Sequence, residues 1–321
     1  MDSVDEIPTP PTVPELAWRS LEPADVAAIG ALVTACLAAD GGLPPLGAAD
    51  VQEQYLPAPP GASIGALQVD GPLAACAAVR PTHTPEEYRA TIVGQVHPTY
   101  RRRGLGTFLL RWSIAEAGRL LAACPADRPR VLQIATESLT EAGERLYERH
   151  GFVQQFAEDV MRRDLEARLP DFALPSGIRF ATWTPALVGE FHAVHQAAYR
   201  DRPGFPDWSL EEWVAWLRPD EDDFRPEMSL LAYCDDLPVG LIVCAERWIA
   251  QFGVRPEWRE RGIGSALIVE ALRRFQAAGD DHVLLSVNVN NPRAARVYAR
   301  LGFECVGRRG CYVRTSSGGS L

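Results

Sequence analysis

VHPTYRRRGLG, running from Val96 to Gly106, returns as VRPEWRERGIG from Val254 to Gly264. Gly104 with Gly262, and Gly106 with Gly264, are each 158 positions apart. Downstream, LYERHGF (Leu146 to Phe152) matches VYARLGF (Val297 to Phe303), with Tyr147 and Tyr298, and Gly151 and Gly302, 151 positions apart. The difference of seven has a visible source, CPADRPR (Cys124 to Arg130), a proline-bearing loop that the first copy carries. Two motifs in one order with one localised insertion mark a tandem duplication. RLPDFALPSG (Arg168 to Gly177), with three chain breakers, joins the copies. The chain is therefore expected to hold a flexible, acidic, proline-rich tail at 1–14, a first domain at 15–167 and a linker at 168–176. A second domain at 177–315 and a flexible tail at 316–321 complete it.

In the second copy MSLLAYC, VGLIVCA and WIAQFGV are strand-length apolar runs parted by turn residues, the pattern of an antiparallel meander. Over 262–278, Ile263, Leu267, Ala271 and Phe275 recur every four residues, which predicts a helix with one apolar stripe opposite Glu270, Arg273 and Arg274. VLLSVNV (283–289) predicts the next strand. Asn291-Pro292 then opens a helix, as N-cap and first-turn proline, and Gly302 ends it. The first copy has Thr140 and Gly143 in place of Asn291 and Ala294, and Ser138 to Glu141 offers a capping box there. This alternation gives an α/β (α+β) fold class, two tandem domains each built on a mixed, mostly antiparallel sheet flanked by helices.

Composition narrows the chemistry. All 32 basic residues are arginine, which excludes a P-loop and every Schiff-base mechanism, since both need a lysine amine. A net charge of −10 repels phosphate backbones, so no nucleic-acid partner is expected and a small-molecule amine suits the field better. Apolar runs such as Leu241 to Ala245 are strand-length, so no membrane partner is expected. The acidic start lacks the pattern of a secretory leader, which points to a cytoplasmic protein. Cysteines 36, 76, 124, 234, 244, 305 and 311 form no C-x-x-C pair and read as reduced core residues. His192 and His195 have no third ligand at a metal-site spacing, so no metal is expected. Trp208, Trp213, Trp216 and the acidic run Asp220 to Asp223 are candidates for the rim of an acceptor pocket.

The Arg-x-x-Gly-x-Gly repeat lies between a strand and a helix. Unpaired N–H groups and the positive dipole end favour an anion there, and glycine lets a phosphate approach closely. It lacks the third glycine and the first-strand position of a dinucleotide fingerprint. With Asn291, Ala294, Tyr298, Gly302 and Phe303, the motif resembles the GNAT superfamily of N-acetyltransferases. Members carry [Gln/Arg]-x-x-Gly-x-[Gly/Ala] after the fourth strand and Asn-x-x-Ala…Tyr…Gly-Phe after the fifth. The resemblance covers nearly the whole chain, twice, in a tandem architecture similar to that of the mycothiol synthases. It implies a sheet splayed between its fourth and fifth strands, with acetyl-CoA as cosubstrate in the gap.

The implied acetyl-CoA contacts are Phe252, Gly253, Val254, Arg259, Glu260, Arg261, Gly262, Ile263, Gly264, Ser265 and Asn291 in the second copy. In the first they are Val96, Arg101, Arg102, Arg103, Gly104, Leu105, Gly106, Thr107 and Tyr147. Tyr298 is the implied acid for the departing thiolate. The family's base is a fourth-strand glutamate, but the stretch Arg247 to Val254 holds no carboxylate. Glu246, just before it, is the candidate, while Gln251 could orient a water and Trp248 takes the place of the mycothiol synthase base. The expected activity is direct acetyl transfer from acetyl-CoA to a primary amine by a monomer or homodimer. The C-terminal domain would be catalytic and the N-terminal one CoA-binding or structural. The alternative of another class is a non-catalytic acyl-CoA-binding or sensing module.

Overall fold

The computed structural model describes all residues except 1–7, 43–46, 57–60, 69–70, 201–206, 218–222 and 316–321. Much of both expected tails, and Asp220, Glu221 and Asp222 of the acidic run, thus lie outside the described residues. The chain forms two compact units, Met1–Asp159 with Val306–Leu321, and Val160–Cys305.

The first unit contains β1 (Leu16–Arg19), α1 (Val26–Asp40), α2 (Ala48–Tyr55), β2 (Ser63–Gln68), β3 (Leu73–His83) and β4 (Tyr88–Val96). Then come α3 (Leu105–Ala122), β5 (Arg130–Thr136), α4 (Glu141–Arg149) and the start of β6 (Val153–Asp164). The second unit takes the end of β6, then β7 (Ile178–Thr182), α5 (Val188–Tyr199), α6 (Leu210–Leu217), β8 (Leu230–Cys234), β9 (Leu237–Ala245) and β10 (Trp248–Val254). It continues with α7 (Ile263–Ala277), β11 (His282–Asn288) and α8 (Pro292–Arg300), before β12 (Glu304–Thr315) returns to the first unit.

Strand order in the first unit is β1-β2-β3-β4-β5-β12, antiparallel except for the β4–β5 pair. In the second it is β11-β10-β9-β8-β7, antiparallel except for β10–β11. Repeat boundaries and compact units differ. Residues Gly310 to Thr315, expected to close the second domain, pair with β5 of the first. An open strand edge is filled by whichever strand offers matching register, and sequence similarity does not record which one does.

In the second unit both sheet faces are covered, which is why β9 reads as a nearly unbroken apolar run. α7 and α8 pack on one face, with Ile263, Leu267, Ala271 and Phe275 buried as the spacing predicts. Ala266, Ile268, Val269 and Leu272 are buried too, so the apolar face of α7 is wider than one stripe. On the other face Trp183, Phe191, Val194, Trp213 and Leu217 cluster with Leu231, Tyr233, Leu241 and Val243. In the first unit, Pro23–Asp40 is long and apolar enough on composition to span a bilayer, a stretch that the expectation of strand-length runs passes over. Its Ile29, Leu32, Val33 and Cys36 are buried in the protein core. Cys36, Cys76, Cys244 and Cys311 fit the core reading, whereas Cys305 is exposed.

Both sheets open between their fourth and fifth strands. β4 pairs with β5 from Tyr88↔Arg130 to Ile92↔Ile134 and then departs. β10 departs sooner, after Trp248↔Leu284 and Ile249↔Leu285. It also carries a bulge against β9 between Ile249 and Gln251, where β4 runs unbroken along β3.

Candidate active site

Each copy builds one corner from the same residues. The fourth strand ends, a short 3₁₀ turn follows (Pro98–Tyr100 or Pro256–Trp258), and the first arginine of the motif folds back. Arg101 Nε donates to the Val96 carbonyl and Arg259 Nε to that of Val254, both at 3.2 Å. Arg101 also grips Asp40 at the end of α1 with two bonds of 2.6 and 2.7 Å. Arg259 Nη2 donates to the Ala198 carbonyl in the last turn of α5 at 2.8 Å. Both side chains thus lace strand to helix. Arg103 and Arg261 stack over Tyr100 and Trp258, 5.0 and 4.6 Å from the ring centroids, which holds a cation beside each loop.

Backbone angles repeat as closely. Arg102 and Glu260 have φ of 66° and 67°, and Gly104 and Gly262 have 83° and 80°. Left-handed residues alternating with extended or right-handed ones turn successive N–H groups inward as an anion-binding concavity. A side chain in that region costs roughly 1 kcal/mol, and the loop carries one in both copies. No side chain caps α3 or α7 at Gly104 or Gly262. The first-turn N–H groups of Leu105, Gly106 and Thr107, and of Ile263, Gly264 and Ser265, therefore lie at the positive end of a helix, where an anion is favoured. The loops differ in cover: a Cβ on Gly104 would meet nothing within 4 Å, whereas one on Gly262 would lie 3.4 Å from Phe172 Cζ and 3.6 Å from Pro175 Cγ of the linker.

After the bulge, β10 alternates cleanly. Gln251 and Gly253 face α5 and α6: Gln251 Oε1 accepts from the buried Trp213 indole at 2.9 Å, and a Cβ on Gly253 would sit 2.7 Å from Ala198 Cβ. Phe252 and Val254 face α7 and α8, where Phe252 meets Tyr298 edge to face at 6.3 Å between centroids. Tyr298 also meets Phe303 at 6.1 Å and is buried, not surface-facing. Burial raises its phenol pKa well above the ordinary value, with the neighbouring Tyr199 adding to the shift, so the proton stays on. Asn291 caps α8 by accepting from the Ala294 N–H at 3.1 Å, the capping role the spacing predicts. In the first copy Thr140, rather than Ser138, caps α4, accepting from Gly143 N–H at 3.2 Å. There Gly94 stands where the second copy has Phe252. Tyr147, with its pKa pushed up to about 12 by burial, packs 5.2 Å from Tyr312.

Glu246 is not brought to this corner. It sits exposed in the β9–β10 hairpin with φ of 46°, at the opposite end of β10 from Val254. At about 3.3 Å per residue it lies roughly 20 Å of strand from Phe252. Trp248 is the first residue of β10. Trp216 is exposed and the Trp208 ring lies tilted beside it, 5.8 Å between centroids, while Trp213 is core. Among the described residues no group of three or more His, Cys, Asp or Glu is placed to hold a metal ion.

Two residues gain positions that their sequence reading missed. The Tyr199 hydroxyl donates to the Phe252 carbonyl at 2.8 Å and accepts from the Phe252 N–H at 3.3 Å. One turn back, His195 packs 4.9 Å from the Tyr199 ring and is buried, so its pKa falls to about 4, lowered by burial and then by His192. The available signal was the four-residue spacing of His195 and Tyr199, which places both on one helical face. Beyond Leu285, the last residue of β11 paired with β10, the Ser286 hydroxyl is buried without a partner. In the second unit an orphaned polar atom beside the gap, together with the uncapped N-terminus of α7, fits a polar, anionic ligand such as acetyl-CoA.

The Acetyltransferase (GNAT) family model matches residues 191–303, and an acetyltransferase (GNAT) domain model matches 61–154. Mycothiol acetyltransferase of Thermobispora bispora is 32% identical over 298 residues, covering 88% of this chain and 93% of that protein. Its namesake from Stackebrandtia nassauensis is 29% identical, covering 89% and 94%. Among solved structures, a GCN5-related N-acetyltransferase from Sphaerobacter thermophilus superposes with a TM-score of 0.72 at 29% identity, over 96% of this chain and 98% of that one. A tandem GNAT protein of the clavulanic acid biosynthesis pathway shares the fold, with a TM-score of 0.56 at 19% identity over 95% and 100%. A GNAT match in each copy of the repeat, and a relative aligned along nearly all of its length, place this chain in the GNAT family as a tandem N-acetyltransferase.

Proposed function

We propose that the second copy transfers an acetyl group from acetyl-CoA directly to a primary amine on a small molecule, and that the first copy binds acetyl-CoA or serves structurally. The observation that carries this reading is the bulged, early-departing β10 with Phe252 and Tyr298 packed beside it, a combination β4 lacks. Bound acetyl-CoA would supply an acyl group activated as a thioester. The amides of 261–265 would hold its pyrophosphate, and those of 103–107 would do so in a first copy that binds acetyl-CoA. Backbone N–H groups of Phe252 and Val254, which point away from β9, polarise the reacting carbonyl. Tyr298 keeps its proton until a thiolate departs, then donates it from the hydroxyl oxygen to sulfur. β10 offers no carboxylate as base, and the Gln251 carbonyl is occupied by Trp213. The amine therefore loses its proton to water. The shared name of the relatives puts a mycothiol-related amine first among acceptors.

The test is calorimetric titration of acetyl-CoA into wild type, Gly104→Glu and Gly262→Glu, with amine-dependent free-thiol release measured on each. Gly262→Glu is expected to lose one site and turnover; Gly104→Glu is expected to keep turnover, and a site lost with it marks the first copy as acetyl-CoA-binding rather than structural. Turnover lost in Gly104→Glu and kept in Gly262→Glu would reverse the assignment of the copies.

A further inference from the structure

We infer that Tyr199 occupies the strand edge that acetyl-CoA must take in the second copy, so that cosubstrate binding displaces its hydroxyl. Strand β10 has two edges, and one is taken by β9, with Phe252 opposite Ile242. In an antiparallel pair, a residue's N–H and C=O point to the same side. Both of these groups of Phe252 bond one atom, the Tyr199 hydroxyl, at 3.3 and 2.8 Å. They therefore face away from β9, into the gap that β11 leaves beyond Leu285. The hydroxyl takes from Phe252 the two bonds that a neighbouring strand, or a ligand lying along β10, would otherwise make.

Local sequence sets up the contact. Gly253 lets α5 approach until a Cβ there would lie 2.7 Å from Ala198 Cβ, and Tyr199 is the next residue along. Arg259, donating to the Ala198 carbonyl at 2.8 Å, fixes the end of the helix to the same loop. The first copy has Gln95 where the second has Gly253, and α1 ends there in Asp40, gripped by Arg101. No phenol follows it, since Gly41 and Gly42 continue the chain.

The inference rests on the proposed seat of acetyl-CoA in the second copy. A ligand that replaces two neutral hydrogen bonds of ordinary net strength does so against roughly a 5- to 100-fold penalty in Kd. Tyr199→Phe keeps the ring against His195 and removes only the competitor. The full-length chain is titrated with acetyl-CoA as wild type, Tyr199→Phe, Gly262→Glu and the double variant. Tyr199→Phe is expected to tighten, roughly 5- to 100-fold, the site that Gly262→Glu deletes, and to leave the other site unchanged. A merely structural phenol would not raise affinity. An unchanged or weaker Kd in Tyr199→Phe, with Gly262→Glu still deleting one site, overturns the role of Tyr199 alone. Two sites surviving in Gly262→Glu overturn both the seat and the inference.

Discussion

β4 and β10 enter the same corner and leave it through loops whose left-handed residues agree within a few degrees, yet the strands themselves differ. β10 is bulged, leaves its parallel partner after two residue pairs and carries Phe252 against Tyr298. β4 is regular, stays paired from Tyr88 to Ile92 and has Gly94 at the matching position. The loop is a backbone device, and glycines with one arginine reproduce it in either copy. The proposed acyl end depends on side chains and on a bulge, which re-aims neighbouring groups without a fixed sequence signature. Anion binding and chemistry can therefore separate after duplication, and the comparison is sharpest at the two tyrosines. Tyr298→Phe is expected to lower kcat 100-fold or more, the range of a lost general acid, while Tyr147→Phe leaves kcat within about threefold. Steady-state thiol release with a productive amine measures both, and equal losses would break the contrast.

The loops were legible because the Arg-x-x-Gly-x-Gly spacing encodes a backbone path. The φ of 83° and 80° at Gly104 and Gly262 is what those glycines are for. The splay and the layers followed from the family resemblance and the apolar periods. Other features were hidden for physical reasons. Glu246 lies two residues before β10 in sequence, in the hairpin turn, and so at the end of the strand away from Val254. Tyr199 reaches Phe252 only because α5 lies close to β10 over Gly253, a tertiary distance with no local pattern. The hand-over of β12 to β5 depends on register at an open edge, which the apolar pattern of the strands does not record.

Acid should weaken the second unit before the first. His195 has a folded pKa near 4, against about 6.5 when unfolded, and the unfolded chain binds the extra proton between those values. Stability is complete above pH 6.5 and declines as pH falls towards 4, by about 2 kcal/mol at pH 5. In the first unit His83, His97 and His150 are not buried. Hydrogen exchange at pH 7 and pH 5 is expected to lose protection in α5 and β10 more than in α1 and β4. His195→Gln should flatten that difference. Equal loss in both units would mean that the aromatic setting of His195 carries no proton-linked stability.

The smallest contrast lies inside the glycine motif. A Cβ on Gly106 would find Leu146 Cδ2 at 3.7 Å, ordinary contact, so Gly106→Ala gains helix propensity at little steric cost and should be neutral or stabilising by up to about 1 kcal/mol. A Cβ on Gly264 would stand 2.9 Å from Phe252 Cζ. That ring is held between the motif and Tyr298, so overpacking should outweigh the propensity gain and leave Gly264→Ala destabilised by about 1–2 kcal/mol. Thermal melting of the two variants is expected to move in opposite directions. Adding Phe252→Leu to Gly264→Ala should recover part of the loss, because a shorter side chain gives the new methyl room. Loss of the same size in both alanine variants would show that the second glycine serves the loop backbone in each copy, rather than the approach of Phe252 in one.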